Sequence, residues 1–253
     1  MATTKKSLGQ HWLKNRQILD EIANLAGSGE LCVEIGPGLG TLTSSLLKNF
    51  NKVISIELDD RLAENLPKSF PGKNLEVIHA DFLDYNLESL PQKYVLTGNI
   101  PYYITSPIIM KALTARNRPS RIVLLIQKEV AERLAAPDNK KTYLSIFVQS
   151  FTKVSLGPVV PRDEFTPPPK VDSQIIILDP YSQPLLTEQE LTFVKFCFTA
   201  PRKKLIKVLL PRYQKAQLLR VFSEQNINSD VRPANLSIND WKNLFLGLEI
   251  NKH

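Results

Sequence analysis

Short apolar runs alternate with stretches of helical period through the first half of the chain. Residues 16–26 carry Ile18, Leu19, Ile22 and Leu25 at helical spacing behind a capping Asn15, and Gly27-Ser28-Gly29 closes the segment. Residues 31–35 then form a compact apolar run, too short for a helix, that reads as a buried strand. The same alternation predicts strands at 52–57, 75–79, 94–98 and 121–126, with helices at 41–49, 60–69 and 106–116 between them. Such a pattern predicts a parallel sheet covered by helices on both faces, an α/β fold. Residues 143–151 read as another helix, and 152–161 and 174–178 as two more strands. Three prolines, Pro167-Pro168-Pro169, favour a stiff extended backbone just before the last of them. Asp179-Pro180 and Gln183-Pro184 look like a linker, and the remainder reads all-helical, at 187–198, 203–210, 213–224 and 238–248. The expected organisation is a domain over 1–180 and a smaller helical domain over 181–253.

Polar residues close strand after strand: Glu34, Glu57, Asp81 and Asn99. Each alone could be a solvated strand end or a helix cap. In an open α/β sheet, ligands bind outside the carboxyl ends of the strands, so four such residues in succession predict a shared pocket. Gly36-Pro37-Gly38-Leu39-Gly40 follows the first strand, where glycines let the backbone turn sharply and approach a ligand. Glu57 falls 21 positions after Gly36, where a carboxylate can accept hydrogen bonds from both hydroxyls of a ribose. Loop and acid together fit either a dinucleotide-dependent dehydrogenase or an S-adenosylmethionine methyltransferase. The Gly-x-Gly-x-Gly spacing disfavours a pyrophosphate turn, because Thr41 stands where the third glycine of that fingerprint belongs. Asp81-Phe82 suits an adenine ring, with Asp81 accepting from the exocyclic amine and Phe82 packing nearby.

Composition narrows the partner. The chain of 253 residues has a formal net charge of +7, and the excess is uneven: residues 181–253 hold 11 basic against 6 acidic side chains. Such an excess points to an anionic partner, nucleic acid first. Cys32 and Cys197 form no CxxC pair, so neither a disulfide framework nor a zinc site is expected, and a reducing compartment is. No apolar run is long enough to span a bilayer and the amino end lacks an apolar leader, so a cytoplasmic protein is expected. No segment reads as a coiled coil, which suggests a monomer.

Six stretches taken together resemble the small-subunit ribosomal RNA adenine N6-dimethyltransferase family over nearly the full length. They are the arm Ser7-Leu8-Gly9-Gln10-His11-Trp12-Leu13, the segment Val33-Glu34-Ile35-Gly36 through Thr43, Ile56-Glu57-Leu58-Asp59, Asp81-Phe82, Asn99-Ile100-Pro101-Tyr102, and Phe165-Thr166-Pro167-Pro168-Pro169-Lys170-Val171-Asp172-Ser173. The resemblance implies a seven-stranded, Rossmann-like class I S-adenosylmethionine-dependent methyltransferase domain followed by a small all-helical, RNA-recognising domain. It implies that Gln10, His11 and Leu13 of the arm, Gly36 and Gly38 of the loop, Glu57 and Leu58 at the ribose, Asp81 and Phe82 at the adenine, and Asn99 near the methyl contact S-adenosylmethionine. The related 23S rRNA methyltransferases of antibiotic resistance share the Asn-Ile-Pro-Tyr type of motif. Phe198 with Arg202-Lys203-Lys204-Leu205, and Arg232 with Leu236-Ser237, are similar to the small-subunit branch instead. This chain departs from the family at His11-Trp12, where Asn-Phe is commoner, at Tyr103, where many members have Asn, and at Ala200-Pro201, which replaces a basic residue.

The expected reaction is methylation of two adjacent adenosines in the 3′-terminal hairpin loop of 16S rRNA, giving N6,N6-dimethyladenosine within a pre-30S particle. Two alternatives stay open: methylation of 23S rRNA, and an RNA-binding assembly factor whose methylation is dispensable. Adenine N6 is a poor nucleophile, so the main catalytic task is in-line positioning. The Asn99 side-chain oxygen and the Ile100 carbonyl can accept the two N6 hydrogens while Pro101 holds the backbone. Tyr102 is expected to stack on one face of the adenine and Phe165 on the other. Tyr103 is either a core aromatic or a second stacking ring. Arg202, Lys203, Lys204 and Lys207 are the candidate phosphate contacts. No metal is expected.

Overall fold

The computed structural model describes residues 10–249, so the part of the arm before Gln10 lies outside the described residues. The chain opens with β1 (Trp12–Leu13) and α1 (Arg16–Ala26). Asn15 caps α1 through its side-chain oxygen, which accepts from Gln17 N at 3.0 Å, and Gly27 ends it at φ +90°. The helix turns Leu19, Ile22, Ala23 and Ala26 inward, as the apolar spacing predicts. Then follow β2 (Gly29–Ile35), α2 (Thr41–Asn49), β3 (Phe50–Glu57), α3 (Asp60–Asn65), β4 (Leu75–His79), β5 (Val95–Asn99), α4 (Thr105–Thr114), β6 (Arg121–Gln127) and α5 (Lys128–Leu134). After α6 (Tyr143–Phe151) come β7 (Thr152–Val160), β8 (Phe165–Thr166) and β9 (Ser173–Pro180).

Seven strands form one sheet in the order β4-β3-β2-β5-β6-β9-β7. The pairs from β4 to β6 are all parallel, and β9 runs antiparallel to β6. The central strands β2, β5 and β6 are buried on both faces along most of their length, and β6 does so as an unbroken apolar run over residues 122–126. The winding turns back between β2 and β5. That reversal opens a crevice outside their carboxyl ends, the place where such sheets receive ligands.

A short two-stranded ladder pairs β1 antiparallel with β8, Leu13 opposite Phe165 and Trp12 opposite Thr166. Two-residue strands carry no periodic signal, and this pairing joins segments some 150 positions apart.

The chain divides into two compact units, residues 1–132 with 153–180, and residues 133–152 with 181–253. Segment 133–152, including α6, therefore belongs with the C-terminal helices, whereas the sequence pattern places it in a domain over 1–180. Backbone hydrogen bonds account for this: Tyr181 N donates to Phe151 O, Leu185 N to Ser150 O, and Lys141 N to Ala234 O. The second unit also holds α7 (Glu188–Cys197), α8 (Leu205–Leu209), α9 (Lys215–Glu224) and α10 (Ile238–Glu249). Thr187 and Glu190 form a reciprocal cap at the start of α7. Trp241, fully buried, packs against Phe193 and Phe198 at the centre of this unit. No helix among the described residues is long and apolar enough to cross a membrane, and no group of His, Cys, Asp and Glu among them could hold a metal ion.

Candidate active site

One pocket gathers the carboxyl ends of β2, β3, β4 and β5 together with the arm. Its floor is the glycine loop after β2. Gly36, Gly38 and Gly40 all have positive φ, at 61°, 58° and 78°. They serve different ends. A Cβ on Gly36 would meet nothing within 4 Å and would project into open space at the pocket. A Cβ on Gly40 would run into Leu66 and Phe70, so this glycine lets α2 pack closely. Gly38 lies under the edge of the Trp12 indole.

Two buried carboxylates stand behind the loop. Glu57, at the end of β3, accepts from Gly38 N at 3.0 Å and from Asp59 N at 2.8 Å, one bond on each oxygen. Burial raises its pKa, opposed by those backbone bonds. A carboxylate oxygen accepts more than one hydrogen bond, so each retains capacity toward the pocket. Glu34, on β2, is 1 % exposed; its Oε2 accepts from Thr43 Oγ1 at 2.6 Å and Ser55 Oγ at 2.9 Å. Burial pushes its carboxyl up to about 7, with the charge of Glu57 adding to the effect. In the sequence Glu34 stands out as a strand-end acid within the glycine-loop stretch, without a role of its own. Its role is to tie α2 and β3 to β2 directly beneath the loop. Its place two residues before Gly36 was the available signal.

Asp81 accepts from Leu83 N at 2.8 Å with one oxygen, which fixes the turn after β4. Phe82 is buried beside it, and Leu58, 45 % exposed, covers the rim. Gln10 and His11 line the pocket from the arm, whereas Leu13 reaches it from a side chain sunk in the core. All the residues expected around the cofactor thus converge on one pocket. The donor set fits an adenosyl ligand: a buried carboxylate for a ribose, a second acid for an adenine amine, and a glycine floor with no Cβ in the way. None of these groups requires a phosphate.

At the β5 end, Asn99 Nδ2 donates to His11 O at 2.9 Å. A carbonyl can only accept, so this bond fixes which end of the amide is nitrogen. Oδ1 is left without a partner among the described residues. His11 Nδ1 donates to Pro167 O at 2.7 Å, and its ring lies at 19° to that of Tyr102, centroids 6.2 Å apart. Tyr102 shares a 2.7 Å hydrogen bond with Ser173 Oγ, and burial raises its phenol pKa. Asn99, Ile100, Pro101 and Tyr102 all line the pocket.

Phe165 does not. It is 3 % exposed and lies in the buried cluster with Leu13, Leu19 and Val160. Successive residues of a strand face opposite ways, and the pairing of Leu13 with Phe165 directs both inward. The expectation that Phe165 forms the second stacking face is therefore corrected: it anchors the arm to the core. Tyr103 lines the pocket instead, and is no core aromatic at 64 % exposed.

In the second unit, Arg202, Lys203, Lys204 and Lys207 are all exposed at the start of α8. Lys204 Nζ pairs with Asp230 at 2.6 Å, a surface pair that contributes little stability.

A profile of the family described as "Ribosomal RNA adenine dimethylase" matches residues 1–249. The chain is 34% identical over 249 residues to a "Ribosomal RNA small subunit methyltransferase A" of Mycoplasma mobile, covering 96% of this chain and 98% of that one. Among solved structures, a dimethyladenosine transferase from Plasmodium falciparum superposes with a TM-score of 0.83 at 34% identity, over 96% of this chain and 98% of the other. The 23S rRNA methyltransferase ErmE superposes with a TM-score of 0.78 at 28% identity, over 94% and 99%. With the whole described length matched and the pocket's donor set in place, the chain belongs to the ribosomal RNA adenine dimethylase family.

Proposed function

We propose that this enzyme, an S-adenosylmethionine-dependent methyltransferase, dimethylates N6 of two adjacent adenosines in the 3′-terminal hairpin loop of 16S rRNA. Its substrate is the rRNA within a pre-30S particle in the cytoplasm, and it acts as a monomer. The observation that carries the reading is the fixed amide of Asn99, whose unpartnered oxygen stands beside the adenosyl pocket.

S-adenosylmethionine supplies an electrophilic methyl group. Glu57 would hold its ribose hydroxyls and Asp81 its adenine amine, and the Gly36 floor would let it lie against the backbone; all three line the pocket. The target adenine leaves its stack to enter the pocket, as a base within folded RNA must. In the first transfer Asn99 Oδ1 and the Ile100 carbonyl would accept the two N6 hydrogens, which orients the nitrogen lone pair for attack; in the second, one of them would accept the single hydrogen that remains. Pro101 restricts the backbone at this point. Tyr102 stacks on the adenine, held in place by Ser173 and His11. The alkylated nitrogen is acidic and would lose its proton to water, so no strong general base is needed. The exposed Arg202, Lys203 and Lys207 of the helical unit, with Lys204, contact RNA phosphates, consistent with the charge excess of that region.

The name of the Mycoplasma mobile relative supports the small-subunit substrate, as does the C-terminal resemblance. The test is transfer of tritiated methyl groups onto immature 30S particles, with primer extension to locate the product. Stops at two adjacent adenosines near the 3′ end of 16S rRNA are expected. Labelling confined to 23S rRNA would overturn the substrate assignment.

A further inference from the structure

With Phe165 buried, the aromatic surface at the mouth of the pocket comes from Tyr103. Among the described residues it is the most exposed large apolar side chain, at 64 %, and its hydroxyl has no hydrogen-bond partner there. A single exposed aromatic on a protein surface needs no explanation. This one lines the active-site pocket, directly after the tyrosine assigned to the target base.

Tyr102 and Tyr103 occupy one 3₁₀ turn, Tyr102–Ile104, that leads into α4. Such a turn has about three residues per revolution, so neighbouring side chains diverge by about 120°. Tyr102 points back toward Ser173 and His11, and Tyr103 points out to solvent. One base cannot stack on both rings. The support is firm: Ile104 N donates to Pro101 O, Thr105 N to Tyr102 O, and Tyr102 is pinned at its hydroxyl.

We propose that Tyr103 stacks on the nucleobase next to the adenosine held at Asn99 and Tyr102. This rests on the RNA substrate proposed above and deepens it. When the target adenine leaves the stack, its neighbour loses a stacking partner. An exposed ring one residue from the clamp replaces that partner, at a site that tolerates any base. With adjacent adenosines as substrate, two adjacent tyrosines then hold both at once, one for reaction and one in waiting.

The experiment uses the full chain and a small-subunit RNA or particle carrying 2-aminopurine at the neighbouring position, with S-adenosylhomocysteine present so that no transfer is required. Wild type and Tyr103→Phe quench the fluorescence on binding, and Tyr103→Ala does not. In steady state, Tyr103→Ala raises KM for RNA about tenfold while the calorimetric Kd for S-adenosylmethionine stays at the wild-type value. An abasic neighbour raises the wild-type KM by a similar factor, and Tyr103→Ala adds nothing on that substrate. Wild-type quenching and KM in Tyr103→Ala, or an equal loss on intact and abasic RNA, would overturn the role of Tyr103 while leaving the methylation reading intact. Absence of any methyl transfer to small-subunit RNA by the wild type would overturn both.

Discussion

The two halves of the pocket are built differently. On the cofactor side, the polar groups are held by near neighbours in sequence. Glu34 bonds to Thr43 and Ser55, 9 and 21 positions away, and Glu57 to the backbone of Gly38 and Asp59, 19 and 2 positions away. On the base side, the bonds span the chain. Asn99 bonds to His11 across 88 positions, Tyr102 to Ser173 across 71, and His11 to Pro167 across 156. The first half is a local consequence of one βαβ unit. The second exists only when the arm, the β5 tip and the proline segment have come together. Ligand affinity should therefore reside in the local half, and the geometry of transfer in the assembled half.

Asn99→Ala is the sharpest test of that division. It removes the N6 acceptor and the bond to His11 O. Methyl transfer should fall below detection. Because a neutral hydrogen bond contributes only about 1 kcal/mol, affinity for S-adenosylmethionine should stay within about tenfold by calorimetry. A fully active variant would show that Asn99 does not orient the amine.

Glu34 belongs to the local half, and its signature is pH dependence. Its carboxyl ionises near the usual 4.5 in the unfolded chain and near 7 in the fold. Between those values the folded state keeps a proton that the unfolded state has lost, so stability falls as pH rises through that window. The loss amounts to roughly 3 kcal/mol. Glu34→Gln keeps the size of the side chain and an acceptor oxygen but cannot ionise. Urea melts at pH 5 and pH 8 should show the wild type losing about 2.5 kcal/mol relative to the variant, because part of the loss has already occurred at pH 5. Parallel pH profiles would mean that Glu34 is already ionised in the fold at low pH.

Glu57→Ala should reverse the pattern of Asn99→Ala. Losing hydrogen bonds to a charged group costs about 1.5–3 kcal/mol, so affinity for S-adenosylmethionine should drop tens of times. At saturating cofactor, kcat should recover much of its wild-type value. A large loss in kcat with unchanged affinity would place Glu57 in the transfer geometry instead.

The same division explains what the sequence made legible. Strand and helix periods located the sheet, and the strand-end positions of Glu57, Asp81 and Asn99 located the pocket, because where each strand ends is set by the residues next to it in sequence. The β1–β8 ladder, the burial of Phe165 and the placement of 133–152 depend on pairings between distant segments, which periodicity does not record. Phe165 illustrates the limit. An aromatic before a proline run suits a stacking role, and only its register against Leu13 reveals that it faces inward.

Phe165→Leu turns that correction into a measurement. A leucine fills much of the same buried volume, and swaps of this kind cost about 1 kcal/mol, rising toward 1.5 where shape is lost. Phe165 lies in the core cluster that seats the arm. The variant should unfold at slightly lower urea concentration, and its affinity for S-adenosylmethionine should weaken only as far as the arm loosens. A leucine cannot stack on a base as phenylalanine does. If Phe165 were the second stacking face, KM for RNA would rise about tenfold with stability unchanged. If it anchors the arm, KM for RNA stays near the wild-type value and the small loss appears in stability. Measuring both quantities on one variant separates a residue that touches the substrate from one that holds the arm.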